Sequence, residues 1–184
     1  MTLPIDVALR LPEPRTPDPH DAPGIRWGIL APGGIAHAFA DAVAVGTASS
    51  VVAVGSRSRE RAQDFADEFS VPRAYGSYEE LVADTEVDAV YVASPHSEHR
   101  DHALLALEAG KPVLVEKAFA RSAAEAREVL AAAERQGLLV VEAMWSRFLP
   151  HYDVVRHVVE TGLIGDLVTV FADHGQRLYP DGPP

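Results

Sequence analysis

The segment Trp27-Gly28-Ile29-Leu30-Ala31-Pro32-Gly33-Gly34-Ile35-Ala36 constrains this chain more than any other. It runs from an apolar strand through a tight turn of small residues into an amphipathic helix, where Ile35, Phe39 and Val43, with Ala36 and Ala40, form one stripe. Such a turn lets backbone approach a pyrophosphate, aims unsatisfied helix N–H groups and the positive end of the helix dipole at it, and lets helix and strand pack closely. The fingerprint for that task is G-x-G-x-x-G/A, and here it reads A-x-G-x-x-A at Ala31, Gly33 and Ala36. Ala31, Gly33, Gly34 and Ile35 are the candidate phosphate-binding residues; the competing reading is a turn that merely packs.

The pattern downstream supports the first reading. Strands are expected at 25–30, 51–55, 89–93, 113–115 and 138–141, separated by helices over about 59–69, 98–109 and 122–136, the last with Ser122 as N-cap. Strands alternating with helices at this spacing give an α/β fold with a doubly wound parallel sheet of Rossmann type. Residues 1–24 hold Pro4, Pro12, Pro14, Pro17, Pro19 and Pro23 and are expected to form a disordered arm, since proline sustains neither helix nor ladder. The Rossmann domain is then 25–148. Beyond it, Pro150 suits a first helical turn, Val154, Val155, Val158 and Val159 line one face, and Leu167–Ala172 reads as a strand. That strand has no sheet to join, so 149–184 is expected to open a truncated α+β second domain, and the strand must pair elsewhere or fray.

The 184 residues carry a net charge of −11, which argues against a polyanionic partner, nucleic acid included. There is no cysteine, and no apolar run reaches membrane-spanning length, so the expectation is a cytoplasmic protein without a membrane partner. Nearly all cations are arginine. Lys111 and Lys117 are the exceptions, which hints at a chemical role for a retained lysine.

Chemistry concentrates at the expected strand ends. After the second strand, where an acidic residue would bond the free 2′-hydroxyl of NAD, the chain has Ser56, Arg57 and Ser58. Neutral donors with a guanidinium suit a 2′-phosphate, so NADP is favoured over NAD; Arg59 and Arg61 read as solvated helix charges. The third strand ends in Ser94-Pro95-His96, with His99 and His102 following. The three histidines drift around a helix at i, i+3 and i+6 without a zinc motif, so no metal is expected, and His102 reads as a surface residue. Glu116 and Lys117 end a buried strand as a charged pair that must point into the crevice, where Lys117 could polarise a substrate oxygen and assist proton transfer. Trp145 and Arg147 follow the last strand, where Trp145 suits either the core or a wall beside nicotinamide or substrate.

Taken together, GILAPGGIA (28–36), SRS (56–58), SPHSEH (94–99), VEKA (115–118) and GLIGDL (162–167) resemble the glucose-fructose oxidoreductase, inositol dehydrogenase and MocA family over about residues 25–172. EAMWSRF (142–148) and FADHG (171–175) look most like the branch with dimeric dihydrodiol dehydrogenase and NADP-dependent xylose dehydrogenase. The resemblance implies hydride exchange between a nicotinamide cofactor and a sugar or cyclic-diol alcohol carbon, a small-molecule partner, and a homo-oligomer for a full-length version. It puts the family's catalytic lysine on Lys117 and its motif histidine on His99, a cofactor-binding position like Trp145 and Arg147, with Ser94, Pro95, His96 and Glu116 flanking the nicotinamide ribose. Three positions depart from the pattern: Ala31 for the first glycine, His96 for asparagine, and Ala118 for the proline after Lys117. The family's proton donor falls in the second domain, beyond Pro184, so this chain alone is expected to be inactive. The rival expectation is a non-catalytic nucleotide-sensing or scaffold protein on the same fold.

Overall fold

The computed structural model describes residues 10–175. These divide into two compact units, one of residues 17–145 and one of residues 10–16 together with 146–175.

The larger unit is built on six parallel strands: β1 (Arg26–Leu30), β2 (Ser50–Gly55), β3 (Arg73–Tyr75), β4 (Ala89–Val92), β5 (Val113–Val115) and β6 (Val140–Glu142). Their order is β3-β2-β1-β4-β5-β6, every neighbouring pair parallel. The order reverses between β1 and β4, which opens a crevice at their carboxyl ends. The connecting helices are α1 (Gly34–Gly46), α2 (Arg59–Phe69), α3 (Tyr78–Val82), α4 (His99–Glu108) and α5 (Ala123–Gln136).

Two apolar layers sandwich the sheet, because successive strand residues face opposite sides. On one side Leu30, Ala53, Val90 and Val92 meet Leu81, Ala103, Leu107 and Val129 from α3, α4 and α5. On the other, Ile29, Val54 and Tyr91 meet Ala36, Ala40, Phe65 and Ala66 from α1 and α2. Ile35 is not part of the α1 stripe: it is 45% exposed, and Ala36, Ala40 and Val43 alone are buried.

The fold adds β3 and α3 to the elements expected from sequence and moves the last strand from 138–141 to Val140–Glu142. β3 has three residues and α3 five, too short for a periodicity to declare itself. A capping signal was nevertheless present for α3, since Ser77 Oγ accepts from the Glu80 amide at 3.1 Å in a Ser-x-x-Glu frame. That short helix matters, because Leu81 sits against β1 and β2 where both have glycine. A Cβ at Gly55 would come within 2.9 Å of Leu81 Cβ, and one at Gly28 within 2.9 Å of Val87 Cγ1. Lys111 donates to the carbonyls of Asp84 (2.9 Å) and Val87 (2.7 Å), so this lysine ties down the loop before β4.

In the smaller unit, α6 (Pro150–Glu160) begins at proline as expected. Asp153 is almost fully buried, bound by the Arg15 backbone amide and guanidinium and by Arg156. These bonds hold its carboxyl well below the usual carboxylate range. Residues 1–9 of the expected arm lie outside the described residues; farther along, Pro19–Asp21 makes a short 3-10 turn capped by Asp18. Leu167–Ala172 is not a strand. It is irregular, with Val168 and Phe171 more than nine-tenths exposed. Alternating side chains suffice for the pattern, but a strand exists only through ladder bonds to a neighbour, and none pairs with it among the described residues. Residues 176–184 lie outside the described residues.

Candidate cofactor site

Backbone bonds bring three strand ends together. The Ala31 amide donates to Gly55 O (3.0 Å) and the Ala93 amide to Leu30 O (3.0 Å), so the turns after β1, β2 and β4 share one edge. Above them lies a cavity of about 480 Å³ lined by Ala31, Pro32, Gly33, Gly34 and Ile35 on one side. Ser56, Arg57, Ser58, Arg61 and Tyr78 line another side, and Ala93, Ser94 and Pro95 the third. The expected phosphate turn, the serine–arginine stretch and the Ser94-Pro95 turn are thus brought together. Tyr78, on the helix the sequence reading missed, joins them, as does Arg61, which had read as a surface charge.

The lining suits a phosphorylated ligand. Gly34 and Ile35 open α1, and the first amides of a helix have no intrahelical acceptor. A Cβ at Gly34 would meet nothing within 4 Å, and one at Gly33 only Ala93 O at 4.0 Å, so the cradle is open. Ser56 Oγ accepts from the Ser58 amide (3.2 Å) and Ser58 Oγ from the Arg61 amide (3.3 Å), which leaves each hydroxyl proton free to donate. No carboxylate lines this cavity. Ala31 adopts φ 72°, a left-handed conformation that glycine tolerates and alanine does not favour.

A second cavity, of about 400 Å³, adjoins through the shared residues Arg57, Tyr78 and Pro95 and is otherwise lined by Gly76, Ser77, Glu79, Glu98 and His102. His102 is partly buried rather than on the surface. Its Nδ1 lies 2.9 Å from Ser94 Oγ and its ring is edge-on to Tyr78 at 4.6 Å. Burial pushes its pKa down, helped by Arg57 and His99 and opposed by Glu98 and Asp101.

Around Lys117 the arrangement differs from a simple ion pair. Glu116 Oε1 accepts from the Tyr91 hydroxyl at 2.7 Å and Oε2 from the Lys117 amide at 3.0 Å. The Lys117 side chain is exposed, with no ion pair to Glu116 among the described residues. The main chain of Lys117 and Ala118, joined by a cis peptide, is gripped by two histidines. His96 Nε2 lies 2.8 Å from Lys117 O, and His99 Nδ1 lies 2.7 Å from Ala118 O. His99 is fully buried, and its Nε2 faces Ser94 O at 2.8 Å, so both ring nitrogens are engaged. It therefore positions backbone, with both ring nitrogens directed at main-chain carbonyls. Trp145 and Arg147 lie in the 3-10 turn Trp145–Phe148; Trp145 is 64% exposed and so not a core residue. Among the described residues no group of three or more His, Asp or Glu is arranged to hold a metal.

A doubly wound parallel sheet with a helix start and a cationic edge at its switch point defines a nucleotide-binding Rossmann domain. Residues 25–144 match the GFO_IDH_MocA family, described as an oxidoreductase family with an NAD-binding Rossmann fold, and the chain belongs to that family. It is 45% identical over 153 residues to trans-1,2-dihydrobenzene-1,2-diol dehydrogenase of Mus musculus, covering 82% of this chain and 46% of that protein. The Bos taurus enzyme of the same name is 42% identical over 156 residues, with 84% and 47% covered. The chain therefore spans about half the length of the curated relatives it matches. Among solved structures, a 3-ketoreductase from Actinomadura kijaniata in complex with TDP-benzene and NADP superposes with TM-score 0.71 at 32% identity, covering 78% of this chain and 46% of that one. A scyllo-inositol dehydrogenase from Lactobacillus casei, at 23% identity and TM-score 0.71, covers 78% of this chain and 43% of that one and shares the fold.

Proposed function

We propose that this chain is the cofactor-holding part of a dehydrogenase that exchanges a hydride between NADP(H) and an alcohol carbon of a dihydrodiol or sugar. The observation that carries the cofactor choice is the 480 Å³ cavity, where the α1 start faces Arg57, Arg61 and two serine hydroxyls with no carboxylate among its lining residues. A 2′-phosphate gains charge-assisted bonds there, whereas the ribose 2′-hydroxyl of NAD finds no acidic acceptor. The dihydrodiol class comes from the named activity of the relatives, and the NADP-bound 3-ketoreductase supports the same cofactor.

In this reading Gly33, Gly34 and Ile35 hold the pyrophosphate and Ser56 and Arg57 the 2′-phosphate. Bound nicotinamide supplies the hydride acceptor. Ser94, Pro95 and His96 border the nicotinamide ribose, and Trp145 and Arg147 the nicotinamide or substrate. Glu116, fixed by Tyr91, shapes the strand end from which Lys117 reaches the substrate oxygen. We place the working protein in the cytoplasm as a homo-oligomer; among the described residues no helix is long and apolar enough to cross a membrane.

The test is a calorimetric titration of the chain with NADP(H) and NAD(H). NADP(H) should bind more tightly, and Arg57→Ala should remove about 1–3 kcal/mol of that preference, the scale of a hydrogen bond to an ion. Tighter binding of NAD(H) overturns the reading.

A further inference from the structure

His102 has no task in the reading above, yet it lines the cavity adjoining the phosphate site. It is held there from two sides, by Ser94 Oγ at 2.9 Å and by the Tyr78 ring edge-on at 4.6 Å. Arg57 lines the same cavity and also the phosphate cavity, as Tyr78 and Pro95 do, and it is the charged residue the two share. A dianion bound at Arg57 therefore lies within electrostatic reach of His102, as Arg57 itself does. The other charged or titratable groups around the ring come from several elements. Asp101 and His99 are on its own helix, Glu98 is in the preceding turn, and Tyr78 and Glu79 are on α3.

We propose that His102 is a proton-linked specificity residue: it takes up a proton from solvent when a 2′-phosphorylated adenine nucleotide occupies the paired cavities, placing a second cation beside Arg57. The inference rests on the NADP reading above. In the free chain, burial and the Arg57 charge favour neutral imidazole. A bound 2′-phosphate, largely doubly charged near neutrality, offsets Arg57 and favours imidazolium. The sign follows: the bound chain holds its proton to higher pH than the free chain, so the affinity gain is complete at low pH and fades as pH rises through the bound-state value. NAD, without the phosphate, evokes no such uptake.

The experiment titrates the chain and its His102→Gln variant with adenosine 2′,5′-bisphosphate and with AMP, from about pH 5.5 to about pH 8.5, a range that brackets the ordinary histidine value. Titration of the free probe's phosphates is common to both proteins and cancels in the ratio of their affinities, so the ratio reports the bound phosphate–His102 pair. That ratio, wild type over variant, should rise about tenfold toward acid for the bisphosphate, the equivalent of a one-unit shift, and stay flat for AMP. In the unsubstituted chain, the NMR titration midpoint of the His102 ring should move up with bisphosphate and not with AMP, a readout that does not depend on the variant folding. A flat ratio or an unmoved midpoint, in a chain that still prefers bisphosphate to AMP, overturns the His102 proposal alone. A chain that binds both probes equally at every pH overturns the NADP reading and the proposal with it.

Discussion

The Tyr91 hydroxyl donates to Glu116 Oε1 at 2.7 Å, from a ring that is fully buried and stacked on Phe39 with centroids 3.9 Å apart. Burial, reinforced by the neighbouring carboxylate, pushes the phenol far above its usual range, so it stays a donor at any working pH. Glu116 is thus fixed from below by Tyr91 and along the chain by the Lys117 amide. Tyr91→Phe keeps the stacked ring and deletes one donor to a charged acceptor, and should cost about 1.5–3 kcal/mol. Urea unfolding checks it: the midpoint should fall with the m-value unchanged.

His99 should matter more to stability than His96. His99→Ala removes the ring that spans the Ser94 and Ala118 carbonyls, leaving a void and at least one orphaned carbonyl, which costs about 1–3 kcal/mol. His96→Ala loses one bond from an exposed ring and should cost about 0.5–1.5 kcal/mol. Equal losses in parallel denaturation curves would show that the buried ring does not brace the loop.

Ala31→Gly should stabilise the chain by about 0.5–1 kcal/mol, the left-handed penalty of alanine less the extra unfolded-state entropy of glycine. Thermal melting checks it, and a lower melting temperature refutes it.

Acid should weaken the anchor between β1 and the loop before β4. Hydrogen bonds from the Arg26 side chain and amide hold the Asp88 carboxyl down at about 2. A depressed value stabilises the fold above the unfolded carboxyl range near pH 4 and loses that contribution as pH falls toward about 2. Asp88→Asn should therefore flatten the acid limb of stability against pH. The size is modest, because both partners are solvent-exposed.

In a chain extended to the length of its relatives, Lys117→Met should depress kcat far more than it changes cofactor affinity. That is the signature of an interaction made mainly in the transition state. Unchanged kcat with dihydrodiols and sugars would contradict it.

The α/β class and the small-residue turn between β1 and α1 were legible because both are local: strand-to-helix alternation and a small-residue turn depend on neighbours in sequence. Ser56, Arg57 and the Ser94-Pro95 turn could be placed from the rule that strands present their carboxyl ends to one edge. What escaped depended on distant partners. Arg61 looked like a solvated helix charge and His102 like a surface residue because nothing in sequence shows that one faces the cleft and the other lies against Tyr78 and Ser94. Glu116 and Lys117 read together as a charged pair at a strand end because Tyr91, far back in the chain, was invisible as the partner of Glu116. Leu167–Ala172 carried the alternation of a strand, but alternation records which faces differ and not whether a neighbour exists.

The two histidines at the Lys117 loop reach for the main-chain oxygens of Lys117 and Ala118. Every amino acid presents the same carbonyl, so the clasp is blind to what is written at that position. Proline can give way to Ala118 while the loop keeps its address, and substitutions there are better suited to retuning the lining next to Lys117 than to dislodging the lysine itself.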